Sequence, residues 1–509
     1  MYSEWVANSY DTVRYPSYPF PQTHPDRLAT LAILFGMRPA PAGACRVLEI
    51  GCASGGNLIP MAWSLPESRF LGIDLAATAI EEASAAAAEL GLRNIEFRHL
   101  DLTDAGTLGP FDYLIAHGVY SWVPPEVRVK LLSVCRSCMA PQGVAYLSYN
   151  TYPGGYLRRM LRDAFRFHNR GIRDVQKRIR RTYEFAQYAA HWKDPVRGLP
   201  GEAANEFASI LDRAAGSVFH DELAEVNDPV YFHEFMDSAE NHGLQFLAEA
   251  DFFEMAAPPG DPEREAAAGL PPAEDVISRE QYHDFFRFRR FRQTLLCHKE
   301  IGLDRSMPPR VFQPLLAASA SKPSSAKPDL TAGAVEKFVN AKGATASTDL
   351  PAAKALLVVL GERWPMPVPF GRLPDLVRAR LNGAAGPRGE AYPAVEPEEL
   401  ARMLIEFYRA NFIELHSAPP CFVTAISERP EASGLARAQL AGGRSATHLR
   451  HCRIDVTDEA GRRLMTLLDG KRTRSELRRD LAAALGKEIT QDALERGLEL
   501  AARSALLVG

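Results

Sequence analysis

The sequence predicts an α/β protein built on a doubly wound parallel sheet, followed by a helical domain and a smaller helix-rich tail. Three observations carry this. Between Cys45 and Asn150, short apolar runs alternate with helical stretches, the pattern of parallel strands joined by covering helices. The first run ends in a glycine-rich turn, "VLEIGCASGGN", from Val47 to Asn57. After Pro153-Gly154-Gly155 the composition becomes Arg-rich and aromatic with helical spacing, so the sheet gives way to another layer.

In order, the strand candidates are "RVLEIG", "RFLGID", "IEFRHLD", "FDYLIAHG" and "GVAYLSYN". Between them "AIEEASAAAAELG" is rich in the best helix former and ends at Gly91, a natural helix stop. Residues 1–155 are expected to form the sheet domain with an N-terminal arm, and residues 156–315 a helical domain. The low-complexity stretch "LAASASKPSSAKPD", residues 316–329, is expected to be a flexible linker. Residues 330–509 contain a degenerate repeat. Each half gives an apolar helix, a turn, a second helix, and a third helix that runs into a short strand-like end, the order found in winged-helix-like modules. "PDLVRARL" and "RSELRRDL" mix charge signs, which argues against a DNA-reading helix there.

Composition bounds the class. A chain of 509 residues exceeds the size at which one core stops growing. A net charge of -4 argues against nucleic acid or an anionic membrane as the main partner. No apolar run reaches the roughly 18 residues of a membrane span, and the segment from Met1 lacks a signal-peptide apolar core. Seven scattered cysteines form no disulfide framework. A cytoplasmic protein is expected.

A strand that must reverse into a helix beside a ligand needs residues without Cβ, because these permit close backbone approach and positive φ. Two nucleotide readings fit the turn. Gly51, Ala53 and Gly56 approximate the dinucleotide pattern G-x-G-x-x-G; Glu49, Gly51, Ala53 and Gly55 approximate acidic-x-G-x-G-x-G. An ordinary strand-to-helix turn is the plain alternative. The acids at the strand ends discriminate. Asp74 closes the second strand, where a carboxylate accepts from ribose hydroxyls. Asp101 closes the third and is followed by Leu102, a polar and apolar pair suited to an adenine edge and face. Glu49 precedes the turn, where it suits a cationic amino group and repels a pyrophosphate. S-adenosylmethionine offers these three handles.

With these residues in place, the stretch 45–150 resembles a class I S-adenosylmethionine-dependent methyltransferase, with one departure, Ala53 for the middle glycine. Further stretches, "YPSYPFPQTHPDRLATLAILFGM", "HGVYSWVP", "YNTYPGG", "VYFHEFM" and "FRQTLLCHKE", resemble the bacterial methyltransferases that carry a methyltransferase regulatory domain. That family includes rickettsial protein-lysine methyltransferases acting on outer-membrane proteins. The resemblance implies a Rossmann-like methyltransferase sheet. It places Glu49, Gly51, Cys52, Ala53, Gly55 and Asn57 at the methionine end of the donor, Asp74 and Leu75 at the ribose and adenine, and Asp101 and Leu102 at the adenine edge. His117 and Gly118 fall on the sulfonium side, and Thr23 and His24 fold over the donor from the arm. Plain packing of prolines and aromatics on the sheet is the other reading of that arm.

Methyl transfer from a sulfonium is an in-line displacement, so the protein mainly aligns the nucleophile and excludes water. His117, Tyr120, Asn150 and Tyr152 are the polar strand-end candidates for orienting an acceptor or taking its proton; shaping the pocket is their alternative role. Cys135 and Cys138 lie in a helical stretch without a second pair at zinc spacing, so no metal is expected. Phe285, Phe288, Arg292 and Leu295 fall at helical spacing, which predicts an apolar stripe with a solvated arginine face. Leu157 to Arg181 carries ten Arg or Lys against two Asp, a solvated face by default and a surface for an acidic partner or a second subunit otherwise.

The expected activity is N-methylation of protein lysine side chains, by resemblance. A small-molecule N- or O-methyltransferase and a non-catalytic regulator that binds the donor are the alternatives. The donor assignment is checked by thermal melting: S-adenosylmethionine and its demethylated product are expected to raise the melting temperature by mass action and NAD to leave it unchanged. A shift with NAD alone would point to the dinucleotide reading.

Overall fold

The structure, a computed structural model, describes residues 10–191, 199–255, 262–383 and 395–509. Five strands, β1 (Arg46–Ile50), β2 (Arg69–Asp74), β3 (Ile95–His99), β4 (Phe111–Ala116) and β5 (Met139–Asn150), occupy the five apolar runs and pair in parallel. Two later strands, β6 (Leu244–Glu249) and β7 (Phe291–His298), extend the sheet antiparallel, giving the order β3-β2-β1-β4-β5-β7-β6. The strand order reverses between β1 and β4. Crevices at such a switch point, outside the carboxyl ends of the strands, are where α/β sheets bind ligands.

Successive residues of a strand face opposite sides, and here both sides are covered. Val47, Phe70, Tyr113, Tyr146 and Leu295 belong to one core with helices α1 (Pro25–Leu34) and α2 (Leu58–Ser64). Leu48, Ile50, Leu71, Leu114 and Leu147 belong to the other, with helix α4 (Pro125–Cys138) and the helix Phe232–Asn241. Cys135 and Cys138 are buried in that second core. Helix α3 (Ala77–Glu89) packs along β3 and stops at Gly91, which takes φ 68°.

The expected helical domain, 156–315, needs correction, because it supplies two strands of the central sheet. Its first part forms a helical cluster with its own core: helices Gly155–His168, Val175–His191, Leu199–Ser209 and Ala215–Glu222 close around Leu161, Phe165, Ile179 and Val218. The basic run spans the first two of these helices, and part of it is internal. Arg162 is buried and donates to the carbonyls of Asp221 and Ala224, and Arg158 pairs with the buried Glu222.

The stripe expected from Phe285 to Leu295 is also overturned. The helix ends at Arg287, Phe288 takes φ 52°, and Arg292 and Leu295 stand in β7. Phe285 and Phe288 are exposed, whereas the Arg292 guanidinium is fully buried. It donates to both oxygens of Asp284 at 2.8 Å, to Glu249 at 2.7 Å and to Glu280 at 3.1 Å, and lies 3.8 Å from the Phe232 ring centroid. Three carboxylates compensate the buried cation. The helix Val276–Arg287 is thereby tied to the antiparallel edge of the sheet.

The expected flexible linker at 316–329 is a buried structural segment over its first part. Leu316–Ala318 is the central strand of a small sheet, between Val368–Pro369 and Glu414–His416. Ala317, Ala318, Ser319 and Ser321 are buried, and Ser319 Oγ donates to the Phe412 carbonyl at 2.6 Å. The small side chains that look like low complexity permit close approach: a Cβ on Gly361 would stand 2.6 Å from the Ser321 carbonyl oxygen. The helices Pro351–Arg363, Leu373–Gly383 and Pro397–Arg409 place Leu356, Leu400 and Leu404 in the same core as Leu28 and Val47. The second half of the tail has its own core, built from Leu464, Leu477, Leu494 and Leu498. The division between cores therefore lies near residue 418 rather than at residue 330. No described helix is long and apolar enough to cross a membrane.

A chain ended at Ser324 loses Phe338, Leu356, Leu400 and Leu404 from the core beneath α1, each a deletion of the kind that costs about 2–5 kcal/mol. Circular dichroism is expected to show a cooperative melt for a chain ended at Ala418 and none for one ended at Ser324. A cooperative melt of the shorter chain would make the first half of the tail an independent domain.

Candidate active site

The turn after β1 carries Gly51 at φ 74°, Ala53 at φ 47° and Gly55 at φ 75°. A Cβ at Gly51 would come 2.9 Å from Val119, and one at Gly56 would come 2.6 Å from the Ser17 backbone. Ala53, which replaces the middle glycine, keeps the left-handed conformation that costs a residue with Cβ roughly 1–2 kcal/mol. Its N–H donates to Asp74 Oδ2 at 2.8 Å, which holds it there. Asp74 Oδ1 accepts the Ala76 N–H at 2.9 Å. Each oxygen retains a second lone pair for a ribose hydroxyl. Asp74 thus shapes the turn as well as facing the cavity, and burial raises its pKa.

Glu49, at the end of β1, is 3% exposed. Its Oε1 accepts from Asn57 Nδ2 at 2.7 Å, while its Oε2 is buried without a hydrogen-bond partner. Burial pushes its pKa up to about 8 in the donor-free protein, against the lowering effect of Asn57. A buried carboxylate oxygen without a partner is costly, and a cationic ammonium is the group that relieves it.

Glu49 and Asp74 open onto a cavity of about 570 Å³. Of the residues expected at the donor, Gly51, Cys52, Ala53, Asn57, Leu75, Leu102, His117 and Gly118 also line it, and of the candidate catalytic residues His117 and Asn150 do. The others stand elsewhere. Gly55 lies behind the turn, where a Cβ would meet Phe97 at 2.8 Å. Asp101 Oδ1 accepts the Thr103 N–H at 2.8 Å and caps the turn Leu102–Thr107, and the cavity wall there is formed by Leu75, Leu100 and Leu102. His24 caps α1 by accepting from Asp26 N–H, and Thr23 is buried against Asn57. Tyr120 packs edge-on to Phe235 with the Arg128 guanidinium over its ring. Tyr152 stacks on Tyr156, and its hydroxyl accepts from Arg159 at 3.2 Å.

The sequence reading missed the residues that complete the wall. Ser17 and Phe20 do the arm's work assigned to Thr23 and His24: Ser17 Oγ accepts the Gly56 N–H at 2.8 Å, and the Phe20 ring stacks on His117 at 3.8 Å. The signal was present in "YPSYPFP", just before Thr23 and His24 in sequence. Trp122, Asp221, Asn227 and Phe291 also line the cavity, the last three brought in by the fold from beyond β5. No local spacing marks them.

His117 is held neutral, its pKa lowered to about 4 by burial. Its tautomer follows from its neighbours. Gln293 Nε2 donates to Asp251 at 3.1 Å, so Gln293 Oε1 accepts from the Tyr146 hydroxyl at 2.8 Å, and Tyr146 Oη accepts from His117 Nδ1 at 2.9 Å. His117 Nε2 is left as the acceptor nitrogen.

Such a sheet, with a donor-shaped cavity at its switch point, defines a class I methyltransferase. A methyltransferase-domain model matches residues 48–145, the "predicted methyltransferase regulatory domain" matches residues 215–298, and the PKMT C-terminal winged helix domain matches residues 428–505. The Rickettsia prowazekii protein RP789 is 36% identical over 383 residues, which cover 74% of this chain and 69% of that one. A second protein of that organism, RP028, is 34% identical over 244 residues, 47% of this chain and 96% of its own. The solved structure of PKMT2 from Rickettsia typhi in complex with AdoHcy matches with a TM-score of 0.83 and 25% identity over 97% of this chain and 100% of that one. The chain belongs to the S-adenosylmethionine-dependent methyltransferases that carry a methyltransferase regulatory domain, and S-adenosylmethionine is its methyl donor.

The residues present fit that donor. Glu49 Oε2 would take the ammonium, Asp74 the ribose hydroxyls, and the leucine-lined end the adenine. A bound cation keeps the Glu49 carboxylate ionised, whereas in the donor-free protein it is mostly protonated below about pH 8. Binding at pH 7 is therefore expected to release about one proton, with affinity falling as pH drops further. Calorimetry in buffers of different ionisation enthalpy is expected to detect this release in the wild type and not in Glu49→Gln. An absence of proton release in the wild type would remove Glu49 from the donor site.

Proposed function

We propose that the protein N-methylates lysine side chains of proteins. S-adenosylmethionine supplies a methyl group already activated on a sulfonium, so the acceptor needs a lone pair and an approach in line. The observation that carries the reading is the lack of a free base among the described wall residues: Glu49 and Asp74 are assigned to the donor, Asp221 pairs with Arg213 and Glu82 with Arg14. His117, the one histidine among the described lining residues, is a weak base with its pKa lowered to about 4, and burial raises the Cys52 and Tyr15 groups well above their usual values. A hydroxyl acceptor requires a strong base, whereas an amine that has lost its proton to water brings its own lone pair.

Asn150 suits that task. Its Nδ2 donates to Asn227 Oδ1 at 3.3 Å, which leaves Asn150 Oδ1 to accept from an incoming amine and aim its lone pair. The cavity wall at Gly155 and Phe291 adjoins the exposed aromatic residues Tyr156 and Phe288, which a polypeptide would contact beside the reacting side chain. The PKMT name of its relatives supports the same acceptor.

Incubation of a cell lysate with the enzyme and labelled S-adenosylmethionine is expected to place label in protein that yields N-methylated lysine on acid hydrolysis. Label confined to small molecules, or recovered as esters or ethers, would overturn the reading. Asn150→Ala is expected to lower kcat on the order of a hundredfold while leaving donor affinity unchanged.

A further inference from the structure

The second half of the tail reaches the donor turn. Ser445–His448 and Cys452–Asp455 form a hairpin, and His451 sits in its connection at φ 56°. His451 is 5% exposed, and its Nε2 lies 2.8 Å from Oδ1 of Asn57, a residue 394 positions earlier. The same hairpin places the Arg453 guanidinium 4.9 Å from the ring centroid of Tyr18, a cavity-lining residue.

The hydrogen bonds around Asn57 form a closed set. Its Nδ2 donates to Glu49 Oε1 at 2.7 Å and to Thr23 Oγ1 at 3.0 Å, and that hydroxyl passes its own proton to the Phe20 carbonyl at 2.8 Å. Its Oδ1 accepts the Phe20 N–H at 2.9 Å; the Thr23 hydroxyl, 3.3 Å from Oδ1, has its proton on the nearer Phe20 carbonyl, so the imidazole is the remaining donor. Two hydrogens leave the amide nitrogen and two donors meet the amide oxygen, so the amide has one orientation. His451 must carry its proton on Nε2. Burial and the neighbouring His24 and His448 keep the ring neutral, the form able to hold that proton without adding a charge beside the turn.

We propose that His451 is a positioning residue for the methyl donor: through Asn57 it fixes the Glu49 carboxyl with Oε2 turned to the ammonium, so that the C-terminal module completes the donor site. The proposal rests on the assignment of the ammonium to Glu49. The hydrogen bond from the tail holds Asn57 Oδ1, which prevents the amide from turning its oxygen towards Glu49, where, once the ammonium has ionised the carboxyl, two acceptors would face each other. Loss of the imidazole N–H leaves a buried acceptor short of a donor and loosens the amide. The cost falls on ligands that use Glu49 and spares those that do not.

Calorimetry on the full-length protein tests this with two probes, S-adenosylhomocysteine, which has the amino acid end, and methylthioadenosine, which lacks it. His451→Phe keeps a ring without an N–H, His451→Ala removes it, and His451→Gln returns a donor near the Nε2 position. The first two variants are expected to weaken S-adenosylhomocysteine binding about tenfold and to leave methylthioadenosine within twofold of the wild type, with Gln restoring most of the loss. Glu49→Gln is expected to show the same selectivity. Unchanged S-adenosylhomocysteine affinity in both His451→Phe and His451→Ala would overturn the proposal while Glu49→Gln still reported on the donor. Equal loss for both probes would show that the tail only props up the turn. Should Glu49→Gln bind both probes as the wild type does, the ammonium assignment fails and the proposal fails with it. Thermal melting of each variant separates these results from unfolding.

Discussion

A carboxyl group held out of water with one oxygen unpaired raises the energy of the donor-free state, and the surroundings of Glu49 are arranged to keep it there. The β1 backbone fixes its Cα, Asn57 occupies one oxygen, and Phe20, Thr23 and His451 occupy Asn57. None of these groups is charged under ordinary conditions. The cation that completes the set must come from the ligand. Binding energy that would otherwise be lost in desolvating the ammonium is recovered because the carboxyl has already been desolvated by folding. The same economy governs Asp74, whose two oxygens first shape the turn through Ala53 and Ala76 and then face the cavity.

The acceptor side follows a different rule. Burial lowers the pKa of His117 to about 4, and the relay through Tyr146 and Gln293 to Asp251 commits its Nδ1 proton, so the ring is a fixed neutral wall with one acceptor nitrogen. Phe20 stacks on that ring, tying the N-terminal arm to the His117 wall of the cavity. An in-line displacement gains from such rigidity, because alignment supplies most of the rate and a mobile base adds little.

The sequence displayed this site unevenly. All five parallel strands and the donor turn were legible, because buried parallel strands are continuous apolar runs and the turn needs its glycines locally. The cavity-lining positions of Glu49 and Asp74 were legible because each stands at the carboxyl end of a strand. Asp101 ends a strand too, yet one of its oxygens caps the next turn and the residue stands off the cavity wall, which spacing cannot show. Tyr120 and Tyr152 follow the right strands, but a tyrosine in a turn can face either way, and packing against Phe235 and Tyr156 decided their direction. β7 was hidden by Arg292, since a buried arginine is intelligible only with Glu249, Glu280 and Asp284 beside it. Small residues at 316–321 were misread as flexible because close packing and low complexity use the same alphabet.

The tail's reach to Asn57 depends on a chain of half-buried charges that no local pattern announces. Asp26, at the start of α1, accepts from His416 at 2.8 Å and from the Ser417 and Ala418 N–H groups at 2.7 and 3.0 Å. His416 also faces Glu414 at 3.6 Å. Hydrogen bonding and charge attraction from these two acids raise its pKa to about 9 despite burial, so it bridges them as a cation, and Asp26 is lowered to about 2. Glu414 in turn accepts from Arg450 at 2.5 Å, and the Arg450 guanidinium lies 4.0 Å from the Trp364 ring centroid. Arg450 is the residue before His451. Alternating charges thus run from the N-terminus of α1, which also carries the donor-turn contacts of the arm, to the hairpin that contacts Asn57. Buried or half-buried ion pairs add little net stability, but their distance and sign requirements make them good at fixing register. Hydrophobic packing is non-directional and by itself sets no hydrogen-bond geometry between the second core and the first. A hydrogen bond of 2.8 Å between His451 and Asn57 requires a defined distance and angle, and the ionic chain, which ends at the residue before His451, supplies directional contacts of that kind.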